Sequence, residues 1–240
     1  MDIAILFSAL IFLMMIGVPV TFSMGMAAVF YLYVSDQTDL LVLLPQQMVV
    51  GLEHYGLMAI PMFYLAGAIM TSGGLTERLL NFSRVLIGHL PGSLSLVNVS
   101  GSMFFAGVSG SCTADTSAIG SVLIPAMKKE GYSGAFAAAV TGASSTIGHI
   151  IPPSIAMIVI GVMTETPIGP LFLAGAIPGL MLGVALLGLS LWLSIKRNYP
   201  RAARRSTLNE IGQATLSGLS ALAMPVIVVG GILLGVVTVT

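Results

Sequence analysis

The feature that most constrains this chain is an apolar stretch, residues 93–127, with basic residues beyond both ends. Arg78 and Arg84 precede it, Lys128 and Lys129 close it, and Asp115 is the only charged residue inside. Six further apolar stretches surround it, at 3–34, 40–52, 57–72, 135–163, 171–195 and 213–240. Charged residues make up 8% of the chain and hydrophobic residues 56%, whereas an ordinary soluble domain carries about 25% charged residues. That leaves too little polar surface to coat a globule in water, so the chain reads as an all-α integral membrane protein. A helix needs about 20 apolar residues to cross the bilayer core. The 40–52 stretch falls short of this and carries Pro45, Gln46 and Gln47; it reads as a helix lying at the interface.

The basic residues then set the topology. All of them fall in three places: Arg78 and Arg84; Lys128 and Lys129; and Lys196, Arg197, Arg201, Arg204 and Arg205. Segments 35–56 and 164–170 carry acids and no base. The excess of Lys and Arg in cytoplasmic loops puts the three basic clusters inside and the acidic segments outside. Stretch 93–127 must then enter and leave on the same side. Its roughly 35 residues are too few for two spans of about 20 plus a turn. This predicts a re-entrant hairpin with its tip at 107–111 near the midplane. Non-helical backbone at that depth survives only when buried in protein or lining a wet cavity. The first stretch, 3–34, contains Gly17 and Pro19 and reads either as one long kinked span or as two short ones. Stretch 135–163 is interrupted at 141–154, where Pro152 and Pro153 lack N–H donors and disfavour helix before them. Carbonyls of 148–151 lose helical partners there. Flanked by hydroxyls, they suit a hard cation such as sodium, and a broken helix at the midplane points to a transporter site.

Individual residues leave alternatives open. Asp115 reads as an ion-site carboxylate or as a first-turn acid that closes the hairpin tip. An unpaired carboxylate inside a membrane segment costs about 2.5–3.5 kcal/mol. Ser109, Ser111 and Thr113 read as a cradle for an ion or a substrate carboxylate, or as small residues that let helices approach. His149 reads as a proton relay or substrate contact, or as a hydrogen-bonded interior histidine. Gly107-Val108-Ser109-Gly110 matches the pattern of an intramembrane serine protease with His149 as base; the position of Ser109 at a hairpin tip rather than at the start of a span argues against it. A formal net charge of zero argues against a nucleic-acid partner. A single cysteine, Cys112, excludes an intrachain disulfide framework and a cysteine zinc site.

Several long motifs together resemble one family. They are Gly17-Val18-Pro19-Val20, Ile60-Pro61-Met62-Phe63, the run from Gly107 through Gly120, Pro125-Ala126-Met127, Gly131-Tyr132, and the run from Ala143 through Ser154. The chain resembles the large membrane subunit, DctM type, of tripartite ATP-independent periplasmic (TRAP) transporters. The resemblance implies a non-enzymatic, sodium-driven importer of small organic acids such as C4-dicarboxylates or sialic acid, in the bacterial inner membrane. It implies an elevator architecture, a small membrane subunit and a periplasmic substrate-binding protein as partners, and Na+ as coupling ion with no other cofactor. An ion-coupled carboxylate carrier that needs no binding protein is the alternative. By the same resemblance, sodium ligands come from Ser109, Ser111, Gly142, Ser145, Gly148 and Pro152, with Asp115 in support. Substrate contacts lie near Ser144, Ser154 and His149. His149 stands where many relatives carry a small residue or proline. Residues 1–92 correspond to scaffold spans and an interfacial arm, 93–163 to half of a transport domain, 164–212 to a span and a basic loop, and 213–240 to the start of a second, inverted repeat. Half of a two-hairpin site is then expected beyond residue 240.

Overall fold

Proline and glycine set most of the breaks. The computed structural model describes residues 2–53, 55–200, 207–234 and 236. Every regular element among them is helical. Arg201, Arg204, Arg205, Gly235 and residues 237–240 of the last apolar stretch lie outside the described residues.

The chain divides into two compact units, Met1–His54 and Tyr55–Thr240. In the first, the ambiguity of stretch 3–34 resolves into two short helices, α1 (Asp2–Met15) and α2 (Val20–Val34), packed on each other. Gly17 turns the chain at φ +91° and Pro19 caps α2, a position where its missing N–H is harmless. At 14 and 15 residues, each is about 21–23 Å long, short of the bilayer core of about 30 Å. A 3₁₀ turn, Thr38–Val42, leads into α3 (Leu43–Leu52), which has no buried residue.

The second unit is built around α6 (Ser93–Ser109). Before it come a 3₁₀ turn (Tyr55–Met58), α4 (Ala59–Ser72) and α5 (Leu75–Ile87). After it come α7 (Cys112–Lys129), α8 (Gly134–Ser145), a 3₁₀ turn (Thr146–His149), α9 (Ile155–Met163), α10 (Ile168–Lys196) and α11 (Leu208–Leu233). Helix α10 has 29 residues and is, among the described residues, the one helix long and apolar enough by itself to cross a membrane. Helix α5 is absent from the sequence reading, whose apolar stretches pass from 57–72 directly to 93–127. Its buried Leu75, Leu79, Leu80 and Phe82 recur at helical spacing and face α6 and α11, a legible signal. Helix α11 opens with Thr207 and Glu210, each side chain accepting from the other's amide, a reciprocal cap that the Thr-x-x-Glu spacing announces.

Helix α6 touches α4, α5, α7, α8, α10 and α11, and all but two of its residues are buried. One side carries Val97, Phe105 and Val108 into a core with Leu75, Leu79, Leu80, Ile119 and Leu123. Other sides are polar. The hydroxyls of Ser190 and Ser194 on α10 meet Ser95 at 2.9 and 3.0 Å. Asn98 donates to Thr141 on α8 at 2.7 Å. Ser102 pairs with Ser144 at 2.9 Å. Where lipid offers no hydrophobic drive between helices, such close-packed hydroxyls and amides hold them together.

At the opposite end from the hairpin tip, Tyr132 is stacked on Tyr199 with ring centroids 4.3 Å apart. Its hydroxyl is buried without a hydrogen-bond partner among the described residues. Burial pushes its pKa up to about 12. Because the folded value lies above the unfolded one near 10, this stabilisation is complete below pH 10 and is lost as pH rises through 12. Tyr132→Phe is expected to leave stability at pH 7 unchanged or raise it by up to about 1 kcal/mol. It should also flatten the alkaline fall in unfolding temperature between pH 10 and 12. An equal alkaline fall in both proteins would assign it to other groups.

Candidate functional site

The site is built where α6 turns into α7. Gly110 takes the left-handed conformation, φ +60°, and ends α6. The hydroxyl of Ser111 caps α7 by accepting from Ala114 at 3.5 Å and pairs with Thr113 at 3.0 Å. The Ser109 hydroxyl accepts from the Ser111 amide at 3.3 Å and donates to the Ser111 carbonyl at 3.4 Å. Three hydroxyls and several backbone oxygens thus gather within five residues.

The second part is the interruption between α8 and α9. Helix α8 stops at Ser145, tightens into the 3₁₀ turn, and runs through Pro152 and Pro153 to Ser154, which caps α9. The Ser154 hydroxyl donates to the His149 carbonyl at 2.7 Å and accepts from the Met157 amide at 3.4 Å. No described hydrogen bond ends on the carbonyls of Gly148 or of Ile150 through Pro153. Proline supplies no donors, and the residues ahead of it leave the helix.

The two parts meet. The amide of Ile155 donates to the Gly110 carbonyl at 3.2 Å. A Cβ on Gly110 would stand 2.6 Å from the Pro153 oxygen, and one on Gly148 would stand 3.5 Å from the Cys112 amide. On the other flank, a Cβ on Gly67 of α4 would lie 3.5 Å from Ser109 Cα. Backbone approaches backbone on both sides of the tip, and only glycine permits the Gly110 contact. A groove of about 460 Å³ opens beside it, lined by Tyr64, Gly67, Thr71, Ser109 and Ser117 among others.

The predicted residues are distributed unevenly over this geometry. Ser109, Ser111, Gly148 and Pro152 lie at the tip or the break that docks on it. Ser145 is buried one residue before the 3₁₀ turn and donates to the Thr141 carbonyl at 2.8 Å. Gly142 lies within α8 on its exposed face, with nothing within 4 Å of its Cβ position. Ser144 and Ser154 are fully buried, and their hydroxyls are used internally. His149 is exposed, so the interior-histidine reading does not hold. Asp115 is fully buried, and among the described residues neither carboxylate oxygen has a partner in hydrogen-bonding geometry. Its polar neighbours are the hydroxyls of Ser102 and Ser145. The sequence reading missed Asn98. Its side chain donates to Thr141 and accepts from Ser144 at 3.3 Å, tying the inner hairpin arm to the last turns of α8. A lone asparagine in an apolar stretch was the available signal.

The donor set at the tip and break consists of hydroxyl and carbonyl oxygens. It fits a hard monovalent cation better than a soft metal, which would want thiolate or imidazole. No group of three or more His, Cys, Asp or Glu capable of holding a metal occurs among the described residues. The protease alternative has no geometric support, because the Ser109 hydroxyl bonds the Ser111 backbone and makes no described hydrogen bond to His149.

Known proteins agree on the kind of molecule. Residues 7–240 match the family model described as the tripartite ATP-independent periplasmic transporter, DctM component. The chain is 41% identical over 231 residues to the sialic acid TRAP transporter large permease protein SiaM of Vibrio cholerae, covering 95% of this chain and 53% of that protein. It is 42% identical over 188 residues to the C4-dicarboxylate TRAP transporter large permease protein DctM of Pseudomonas aeruginosa, covering 78% and 44%. It is 39% identical over 236 residues to the isethionate TRAP transporter permease protein DctMQ of Oleidesulfovibrio alaskensis, covering 98% and 37%. The chain therefore spans about half the length, or less, of these relatives. They are membrane permeases rather than enzymes, and the chain belongs to their family, the DctM component of tripartite ATP-independent periplasmic transporters.

Proposed function

We propose that this chain contributes the first hairpin and broken helix of a large permease subunit that imports small organic acids with sodium. The observation that carries this reading is the contact of two irregular backbones, the Ile155 amide on the Gly110 carbonyl at 3.2 Å. Irregular backbone is expensive inside a membrane and is tolerated where it lines a site. Sodium is cargo here. Its ligands are the oxygens of Ser109, Ser111, Gly148 and Pro152, with Gly142 and Ser145 at the end of α8 and Asp115 contributing charge. The substrate carboxylate approaches from the side of His149, with Ser144 and Ser154 shaping the backbone there. Residues 93–163 move as part of a transport domain against a scaffold that includes 1–92. Residues 164–212 supply a span and basic loop, and 213–240 open a second repeat. The hairpin is re-entrant from the cytoplasmic face of the bacterial inner membrane. A small membrane subunit and a periplasmic binding protein complete the machine, and the acid is of the carboxylate or related class that the relatives' names print.

The test is uptake into proteoliposomes holding the full-length permease, its small subunit and the binding protein. An inward sodium gradient is expected to drive accumulation. Ser109→Ala is expected to raise the sodium concentration for half-maximal uptake by about fivefold to tenfold, the loss of one oxygen contact, with membrane insertion unchanged. Accumulation indifferent to sodium would overturn the coupling, and uptake without the binding protein would overturn the tripartite assignment.

A further inference from the structure

Helices α8 and α10 leave a slot between them. It holds about 180 Å³ and is lined by Phe136, Val140, Ala143, Leu186, Leu189 and Leu193 among others. Phe136 and Leu193 stand at one end, in the first turn of α8 and the last turns of α10; Ala143 and Leu186 stand at the other. The seven helical steps from Phe136 to Ala143 give the slot a length of about 10 Å. Its walls are almost wholly apolar, and the small side chains of Ala139 and Ala143 keep it open.

The mouth at Phe136 is cationic. The guanidinium of Arg197 lies 5.2 Å over the Phe136 ring, with the Tyr199 hydroxyl beside it. The stem of Lys128 runs along the first turn of α8, its Cε 3.7 Å from the Cβ position of Gly134. Lys196 lies 5.2 Å over Trp192 on the same turn of α10 as Leu193. The rest of the exposed surface of α10 differs: Leu173, Ile177, Leu180, Met181 and Val184 form an apolar face with no cation along it. One narrow apolar slot, with Arg197 over its Phe136 end and Lys128 and Lys196 on the adjoining turns, matches an anionic amphiphile. A free phosphate has no use for the slot, and a helix is too wide for it.

We propose that the slot binds one acyl chain of an anionic phospholipid, with its phosphate held by Arg197 and Lys128. Such a lipid would wedge α8 against α10 and fix the spacing of the elements that carry the break.

Native mass spectrometry of the full-length permease in detergent tests this, with phosphatidylglycerol and phosphatidylcholine of identical chains as probes. Phosphatidylglycerol is expected to be retained in preference to phosphatidylcholine. Arg197→Gln is expected to lower its retention about fivefold, the effect of one interfacial cation. Ala143→Leu fills the end of the slot far from Phe136 and is expected to lower retention about tenfold or more by displacing methylenes. Ala139→Leu repeats this test from an exposed position of α8, should Ala143→Leu fail to fold. Equal retention of both lipids, or unchanged retention after filling the slot, overturns the proposal. So does loss of the lipid from the assembled transporter, which would mean that protein covers the slot.

Discussion

Gly110→Ala is expected to lower the stability of the purified permease by about 2–5 kcal/mol. Two effects add. The left-handed backbone at φ +60° costs a residue with a Cβ about 1–2 kcal/mol. The new Cβ would also stand 2.6 Å from the Pro153 carbonyl oxygen and 3.3 Å from the Ile155 amide. Both are backbone atoms that yield only if the tip lifts off the break, and forced overpacking costs about 1–3 kcal/mol. Gly131 provides the control. It has φ +90° and nothing within 4 Å of its Cβ position, so Gly131→Ala isolates the conformational cost of about 1–2 kcal/mol. The difference between the two variants, read by unfolding in one detergent, measures how firmly the tip is docked. Equal losses would mean that the hairpin tip and the α8–α9 break do not press on each other.

That docking shows where sequence reasoning stops. The breaks themselves were legible, because their causes are local. Gly17 and Pro19 separate α1 from α2, Gly110 ends α6, and Pro152-Pro153 keep helix out of the residues before them. Charge bookkeeping reads 93–127 as a re-entrant hairpin, and the chain does turn at Gly110 between α6 and α7. Helix α5 is missing from the sequence reading although its apolar spacing is helical, because Glu77, Arg78 and Arg84 interrupt the apolar run on which the spans are read. Which break meets which is a tertiary fact. Nothing local in Gly110 or Ile155 announces that one accepts from the other.

The side-chain roles divide along the same line. Ser144 and Ser154 looked like free hydroxyls beside a break. Whether a serine on a helix faces a cavity or a neighbouring helix depends on its angular position relative to partners far away in sequence, here Asn98 and Ser102 on α6 for Ser144. Ser154 turns back on its own chain to cap α9 and hold the His149 carbonyl. Asn98 carries the opposite lesson. A buried asparagine must find partners, and the hydroxyls spaced along stretch 135–163 were the available ones.

With sodium bound at the tip as proposed above, Asp115→Asn is expected to abolish most of the stabilisation by sodium while making the sodium-free protein more stable. The carboxylate is fully buried, and among the described residues neither oxygen has a partner in hydrogen-bonding geometry, with the Ser102 and Ser145 hydroxyls standing beside it. Its neighbours are engaged elsewhere, Ser102 with Ser144 and Ser145 with the Thr141 carbonyl. A first-turn acid that closed the hairpin would accept from backbone amides; that task falls to Ser111, whose hydroxyl accepts from Ala114. An uncompensated buried polar group costs about 1–3 kcal/mol, more for a charge, so replacement by a neutral amide should raise stability in choline chloride by about that much. The same charge is what a cation at the tip would find favourable. A ligand at 100 times its dissociation constant stabilises by about 2.7 kcal/mol, and this increment is what the variant should lose when sodium chloride replaces choline chloride. The two salts therefore separate the roles. A structural acid would make Asp115→Asn less stable in both and leave the sodium increment intact. An ion-site carboxylate makes the variant more stable without sodium and nearly indifferent to it, a crossing that simple destabilisation does not produce.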